Sequence, residues 1–382
     1  MSPDRIVVMQ LINRFYAGGA ELLACEIARR LPVTRYECDV CSILQTASED
    51  GDFIQQGLAA RGVKVHGMGK QRGAKSPATV LALRRLIKSR RVDILHTHCV
   101  SPDIYGALAV HGRKRPIIVR TLHSTGYTGE LIQAVAGRLL QSRFAVSAVV
   151  SEGVKAWALR LGLQPDSLSL IHNGIDVACF TSAAPLDRAS LIPGLPENCP
   201  LIISVGRMDR DEVKGFHHLI EALHMLSADR IGFHALLVGE GVMRPRYEEQ
   251  CRSLKIDRSV TFLGRRNDVP NLLKTCDVFV LASIREGLPL AVCEAAAAGL
   301  PVVATQVPGM SDIVKHLRTG ILVPPASPLH LATGLQMVLD APDYGRAMAA
   351  ELRADVGARF AIDRCVEQYA RLYEQVVKES VR

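Results

Sequence analysis

From residue 5 onward, short apolar runs alternate with stretches of helical periodicity, and they do so in two series separated by a proline-rich interval. Runs of that kind, each followed by a helical or loop segment, read as buried parallel strands joined by crossovers, which predicts a doubly wound α/β arrangement built twice over. The first series places strands at 5–12, 36–44, 63–68, 92–96, 117–122 and 145–150. The second places them at 201–205, 234–238, 260–263, 278–282, 301–304 and 321–323. Thr181-Ser182-Ala183-Ala184-Pro185, with Pro193, Pro196 and Pro200, interrupts the periodicity between them, so two domains are expected, residues 1–178 and 179–359. A length of 382 residues, with 48% hydrophobic and 22% charged side chains, suffices for two cores. No uninterrupted apolar run reaches the length of a membrane span, and Met1 to Arg5 lead straight into a strand. A cytoplasmic protein without signal peptide is therefore expected.

Arg285-Glu286-Gly287-Leu288-Pro289-Leu290-Ala291-Val292-Cys293-Glu294 then sets two carboxylates eight residues apart, where a strand hands over to a helix. Pro289 suits the first helical position, and Gly299 after the alanine run suits the helix's C-terminal glycine. Glu286 then precedes the helix and Glu294 lies more than one turn inside it. The amides of Leu290 and Ala291, at the positive end of the helix dipole, face the place where an anion would lie. Carboxylates repel phosphate, so their natural partners are hydroxyls on either side of it. A ligand shaped sugar–diphosphate–ribose meets that description.

Two further loops fit the same ligand. Gly206-Arg207 closes the strand 201–205, and Lys214-Gly215 opens the next helix, so two cations bracket one loop. Gly18-Gly19-Ala20-Glu21 follows the first strand, where missing Cβ atoms let backbone approach a phosphate. Together with the spaced glutamates, and with Asn173-Gly174-Ile175-Asp176, Gly239-Glu240-Gly241, Phe262-Leu263-Gly264-Arg265 and Val307-Pro308-Gly309 in that order, these segments resemble the retaining glycosyltransferases of family four. The resemblance spans nearly the whole chain.

It implies a GT-B fold, with two Rossmann-like domains facing across a cleft, the donor nucleotide sugar on the second, the acceptor on the first, and a last helix, about 360–382, returning to the first. By motif it assigns ribose hydroxyls to Glu294, donor-sugar hydroxyls to Glu286, and the base to the backbone around Gly264 and Arg265, and it counts Gly287 and Leu288 among the donor-binding residues. Arg207 and Lys214, beside Gly206, would neutralise the departing diphosphate in place of a metal, and His123 would stand beside the reacting sugar. The donor would be a UDP- or GDP-sugar, and no metal or other cofactor is expected. In such a mechanism the acceptor hydroxyl attacks on the face the diphosphate leaves, so no enzyme nucleophile is required. Gly309-Met310-Ser311-Asp312 departs from the family in lacking a proline–glutamate pair after the glycine. A nucleotide-sugar epimerase or isomerase of the same fold, and a non-catalytic nucleotide-sugar-binding protein, are the rival readings.

Charge is uneven. Residues 1–180 carry 23 Lys and Arg against 14 Asp and Glu, and residues 181–382 carry 23 against 24, so the net +8 belongs to the first half. Lys70-Gln71-Arg72-Gly73-Ala74-Lys75, Arg84-Arg85, Lys88, Arg90-Arg91 and Arg113-Lys114-Arg115 supply it. A solvated basic surface explains this; so does attraction to an anionic membrane or a lipid-pyrophosphate glycan acceptor. Nucleic acid is disfavoured, because aromatics are not interleaved. Cys38 and Cys41 lie on one strand three apart, on opposite faces, and read as core rather than as a metal or redox pair. Asp209-Arg210-Asp211 has the D-x-D form of metal-dependent transferases but sits between the two cations. His96-Thr97-His98 puts two rings on one strand face without further ligands, which favours a structural or cleft-lining role over a metal.

Overall fold

A computed structural model describes residues 5–16, 18–45, 49–71, 76–112, 115–125, 140–228 and 232–381. The chain divides into two units, Met1–Gly174 with Ile362–Arg382, and Ile175–Ala361. Each is built on one parallel sheet, as the GT-B expectation requires.

The first unit holds seven strands: β1 Ile6–Ile12, β2 Tyr36–Leu44, β3 Lys64–Lys70, β4 Ile94–His98, β5 Ile117–Leu122, β6 Phe144–Val149 and β7 Leu168–Leu170. Their spatial order is β3-β2-β1-β4-β5-β6-β7, so the winding reverses between β1 and β4. Side chains alternate between two cores. Val8, Ile94 and Val119 face the helices Gly19–Arg30 and Ile362–Val381, whereas Met9, Leu11, Leu95 and Cys41 face Pro77–Ser89. Cys38 packs on the first of these faces and Cys41 on the second, and both thiols are free. Helix starts follow local chemistry: Ser76 caps Pro77–Ser89 by accepting from the Thr79 amide, and Ser151 caps Glu152–Arg160 through Val154.

The last helix belongs to this first unit. Its apolar face, with Ile362, Cys365, Val366, Tyr369, Leu372, Tyr373 and Val376, closes one core, and Tyr369 and Tyr373 are wholly buried. Burying such a side chain contributes about 2–3 kcal/mol, enough to hold a helix that a 187-residue insertion separates from its neighbours.

The second unit orders β8 Leu201–Val205, β9 His234–Val238, β10 Val260–Gly264, β11 Val278–Leu281, β12 Val302–Thr305 and β13 Ile321–Val323 as β10-β9-β8-β11-β12-β13, with its reversal between β8 and β11. Its boundary lies a few residues from the expected 178/179. The reason is pairing: the Ile175 amide donates to the Phe360 carbonyl at 2.8 Å, and Phe180 of the helix Val177–Thr181 is buried. The proline-rich stretch is likewise anchored, since Arg188 bonds the Thr275 carbonyl and the Asp277 carboxylate.

Candidate active site

In open parallel sheets ligands bind at the carboxyl ends of the strands where the winding reverses. In the second unit that place lies between the loops following β8 and β11, and the expected residues gather there. Lys214 Nζ donates to Glu286 Oε1 at 2.6 Å, joining the two loops. The Ser283 hydroxyl donates to the same oxygen at 2.6 Å, and Ser283 is itself buried. The pair is withdrawn from water, with side-chain exposures of 23% and 11%. Gly206 serves this geometry, because a Cβ there would stand 3.2 Å from Lys214 Cγ, tighter than ordinary packing allows.

Glu286 precedes the helix Leu290–Ala298, and Glu294 is its fifth residue. Pro289 is the N-cap rather than the first helical residue, a one-place correction. Leu290 and Ala291 therefore open the helix, and their amides have no preceding turn to bond. Gly299 ends it in the left-handed region at φ 91°, as its place after the alanine run predicts. The Glu294 carboxyl is pushed up to about 7 by burial, against the opposing pull of Lys214. Glu294 and Glu286 thus both sense the same ammonium.

Other loops close around these. Gly309, at φ 83°, presses on the loop before the helix so closely that a Cβ would fall 2.0 Å from the Gly287 carbonyl oxygen. Gly287 and Leu288 are buried beneath it. On the other side the Gly206 amide bonds the Val238 carbonyl, and the Gly239 amide bonds the carbonyl of Gly264. Arg265, next along, is exposed. Arg207 is half exposed and ion-paired with Asp209 at 2.7 Å, so the first carboxylate of the D-x-D serves a guanidinium. Among the described residues no group of three or more His, Cys, Asp or Glu could hold a metal ion.

The first unit carries a second cluster at its own reversal, between β1 and β4. Gly18 caps the helix that Gly19 begins. Nearby, Gln10 Oε1 lies 2.8 Å from His98 Nε2, and His98 Nδ1 lies 3.0 Å from His123 Nε2. Gln10 Nε2 donates to the Tyr373 hydroxyl at 3.0 Å. That hydroxyl stands 2.6 Å from His96 Nδ1, while His96 Nε2 meets Thr121 Oγ1 at 2.8 Å. Burial pushes His96 and His123 down to about 3 and lowers His98 as well, so all three rings are neutral at physiological pH. His123 Nδ1 is buried and has no hydrogen-bond partner among the described residues. Cys99, the residue after His98, is held at φ 77° and ψ 164°, a backbone conformation costing about 1–3 kcal/mol and typical of functional sites.

His123 stands directly after β5, the place the resemblance gave it, and the two histidines of β4 share a face as their spacing requires. Gln10, Ser283, Tyr369 and Tyr373 were not singled out. The tyrosines had a signal, four residues apart on an amphipathic helix; Gln10, polar within an apolar strand, had a weaker one.

The comparisons with known proteins agree with this architecture. The family profile described as Glycosyltransferase Family 4 matches residues 17–178, and Glycosyl transferases group 1 matches residues 188–355. A D-inositol 3-phosphate glycosyltransferase of Corynebacterium kroppenstedtii is 30% identical over 395 aligned residues, covering 95% of this chain and 86% of that one. An Escherichia coli UDP-Gal:alpha-D-GlcNAc-diphosphoundecaprenol alpha-1,3-galactosyltransferase is 29% identical over 266 residues, 65% of this chain and 67% of that one. The Anabaena protein HepE, solved with UDP-glucose, superposes with a TM-score of 0.83 at 22% identity, over 97% of this chain and all of that one. The chain belongs to glycosyltransferase family 4 and is a glycosyltransferase of the GT-B fold.

Proposed function

We propose that the protein transfers a hexose, with retention at the anomeric carbon, from a nucleoside-diphosphate sugar to a hydroxyl of a lipid-linked or surface glycan. The observation that carries this reading is the Lys214–Glu286 pair beside the opening amides of the helix Leu290–Ala298, at the winding reversal of the second sheet. Diphosphate lies against the Leu290 and Ala291 amides and draws on Lys214 and Arg207. Glu294 accepts from the ribose hydroxyls, and Glu286 from the sugar. The base packs by Gly264 and Arg265. Within the first unit, Gly18 and Gly19 leave backbone open to a substrate phosphate, and His123 meets a sugar hydroxyl. In the transfer step the bond from C1 to the diphosphate oxygen breaks, a bond from C1 to the acceptor oxygen forms on the same face, and the acceptor proton passes to the departing diphosphate.

Uridine is the favoured base, because relatives and structural neighbours are named for UDP-sugars. The acceptor reading draws on the E. coli relative, whose name specifies a diphosphoundecaprenol acceptor, and on the basic first half. Peripheral contact with an anionic membrane has its own support. Leu81 on Pro77–Ser89 and Leu108 on Val100–Ala109 are 53% and 50% exposed, and Arg85 and Lys88 are exposed on the first of these helices. Residues 72–75, Arg113 and Lys114, which complete the basic clusters, lie outside the described residues. No described helix is long and apolar enough to cross a membrane.

A thermal-shift screen with UDP, GDP and their hexose conjugates tests the donor, since a ligand at 100 times its dissociation constant stabilises by about 2.7 kcal/mol. Incubation of the stabilising nucleotide sugar, radiolabelled, with and without polyprenyl-diphosphate glycan then tests transfer. Conversion without acceptor to an isomeric sugar would establish the epimerase instead, and binding without any conversion a non-catalytic role.

A further inference from the structure

Gln10, His98 and Tyr373 are buried and bonded in series to His123 Nε2, while the other ring nitrogen, His123 Nδ1, has no described partner. We infer that Gln10 and His98 are positioning residues, which fix the proton of His123 on Nε2 so that the Nδ1 lone pair accepts a hydrogen bond from a sugar hydroxyl. This rests on the reading of the protein as a sugar transferase that places a sugar at His123.

The direction of the chain follows from the Gln10 carboxamide. Its nitrogen has two N–H groups to satisfy and faces two acceptors, the Tyr373 oxygen at 3.0 Å and the Cys38 sulfur at 3.9 Å. Its oxygen faces His98 Nε2. Turned over, the amide would offer His98 one N–H and leave its second without an acceptor among these groups. With the oxygen toward His98, Nε2 of that ring must carry its proton. A neutral imidazole has only one, so His98 Nδ1 is a bare acceptor and His123 Nε2 must be the donor across their 3.0 Å contact. His123 Nδ1 is then bare in turn. The Tyr373 hydroxyl, accepting from Gln10, donates to His96 Nδ1, and His96 Nε2–H donates to Thr121, so the branch toward β5 agrees. Burial supports the argument, because a ring driven below its ordinary range does not take a second proton that would undo the order.

The assignment selects the ligand's chemistry. A bare ring nitrogen repels phosphate and carboxylate oxygens, which only accept, and welcomes a hydroxyl, which donates. The stack of His98 on His123, 5.2 Å between ring centroids, holds that lone pair in a fixed direction.

Nitrogen-15 spectra of histidine-labelled protein report the tautomers without any turnover. His98 and His123 should both be Nε2–H at neutral pH; a proton on His123 Nδ1 would overturn the inference. His98→Phe keeps the stacked ring but removes the acceptor, and it should mix the tautomers of His123. With the nucleotide sugar selected by the thermal-shift screen, that variant should lose kcat by about 10–30-fold, the worth of one oriented hydrogen bond, at a KM within about twofold of wild type. His98→Gln retains one donor and one acceptor and should recover most of the rate. If His98→Gln is as impaired as His98→Phe, or if His98→Phe turns over normally, His98 only fills space and the inference fails. Should no nucleotide sugar be turned over by the wild-type protein, the transferase reading fails instead, and the tautomers still decide the chain.

Discussion

The two units place their polar groups at equivalent points of equivalent sheets, yet in opposite electrical form. At the reversal in the second unit ion pairs are held on loops, Lys214 against Glu286 and Arg207 against Asp209, with the buried Glu294 carboxyl of the following helix sensing the same ammonium. In the first they are neutral, built mostly on strands with Tyr373 from the last helix, and bonded in one series of Thr121, His96, Tyr373, Gln10, His98 and His123. A diphosphate needs charge and gains from groups that can shift toward it. A hydroxyl needs a lone pair at a fixed angle, and a buried neutral network supplies that with little reorganisation. The contrast teaches how one architecture serves two kinds of ligand.

The largest expected effect tests the charged side. Lys214→Ala and Arg207→Ala should each cut kcat by ~10²–10³, the effect of removing one preorganised charge at a developing anion. Only the first should also lower stability, by about 1–3 kcal/mol, because Glu286 is left with Ser283 alone among its described partners. Steady-state rates with chemical unfolding check both, and near-normal turnover in either variant would remove the charged half of the comparison.

Next comes pH, which should pull the two units in opposite directions. Glu294 is raised to about 7 from an ordinary 4.5, so the folded second unit binds a proton that the unfolded chain releases. Its stability should therefore fall as pH rises from about 4.5 to 7, by on the order of 1–3 kcal/mol, and Glu294→Gln should abolish that slope. The buried histidines are lowered from 6.5, so the unfolded chain binds the extra protons. The first unit should gain stability as pH rises from about 3 to 6.5, by on the order of several kcal/mol. Hydrogen exchange resolved by unit, between pH 4.5 and 7.5, would show opposed slopes. Parallel slopes would erase the distinction.

A finer test divides the two glutamates. Glu294→Gln should weaken free UDP and the UDP-sugar alike, by roughly tenfold, since charged hydrogen bonds are about twice as strong as neutral ones. Glu286→Gln should leave UDP affinity nearly intact and lose turnover. Calorimetric titration distinguishes them, and equal losses of UDP affinity would show the roles to be misassigned. The smallest expected effect is none: turnover should persist in EDTA, with Lys214, Arg207 and the helix amides supplying the field. Loss of activity restored by magnesium would promote Asp209 and Asp211 to metal ligands.

Much of this was legible in the sequence because buried parallel strands are written as apolar runs. Tyr36–Leu44, Ile117–Leu122, His234–Val238 and Ile321–Val323 fall where the pattern puts them. Leu168–Leu170 escaped, being three residues long with a serine in the middle, too short for any period to register. Candidate residues set close along the chain, such as Glu286 and Glu294 around one helix start, have a placement that spacing reveals. Those that meet only through the sheet could not. Gln10 and His98 are 88 residues apart, and Gln10 and Tyr373 are 363 apart; nothing local marks such partners.

The return of Ile362–Val381 to the first unit also sets an order of assembly. On the ribosome the seven strands of the first unit emerge early, but the two tyrosines that close their core follow only after the entire second unit, a delay of about 10–40 s at ordinary elongation rates. The later half of the chain should thus be the first to become native, reversing the usual sequence of domain folding. Nascent chains stalled after residue 361 provide the check: protease should spare the second unit and digest the first, which during that interval exposes an apolar sheet face for chaperones to shield.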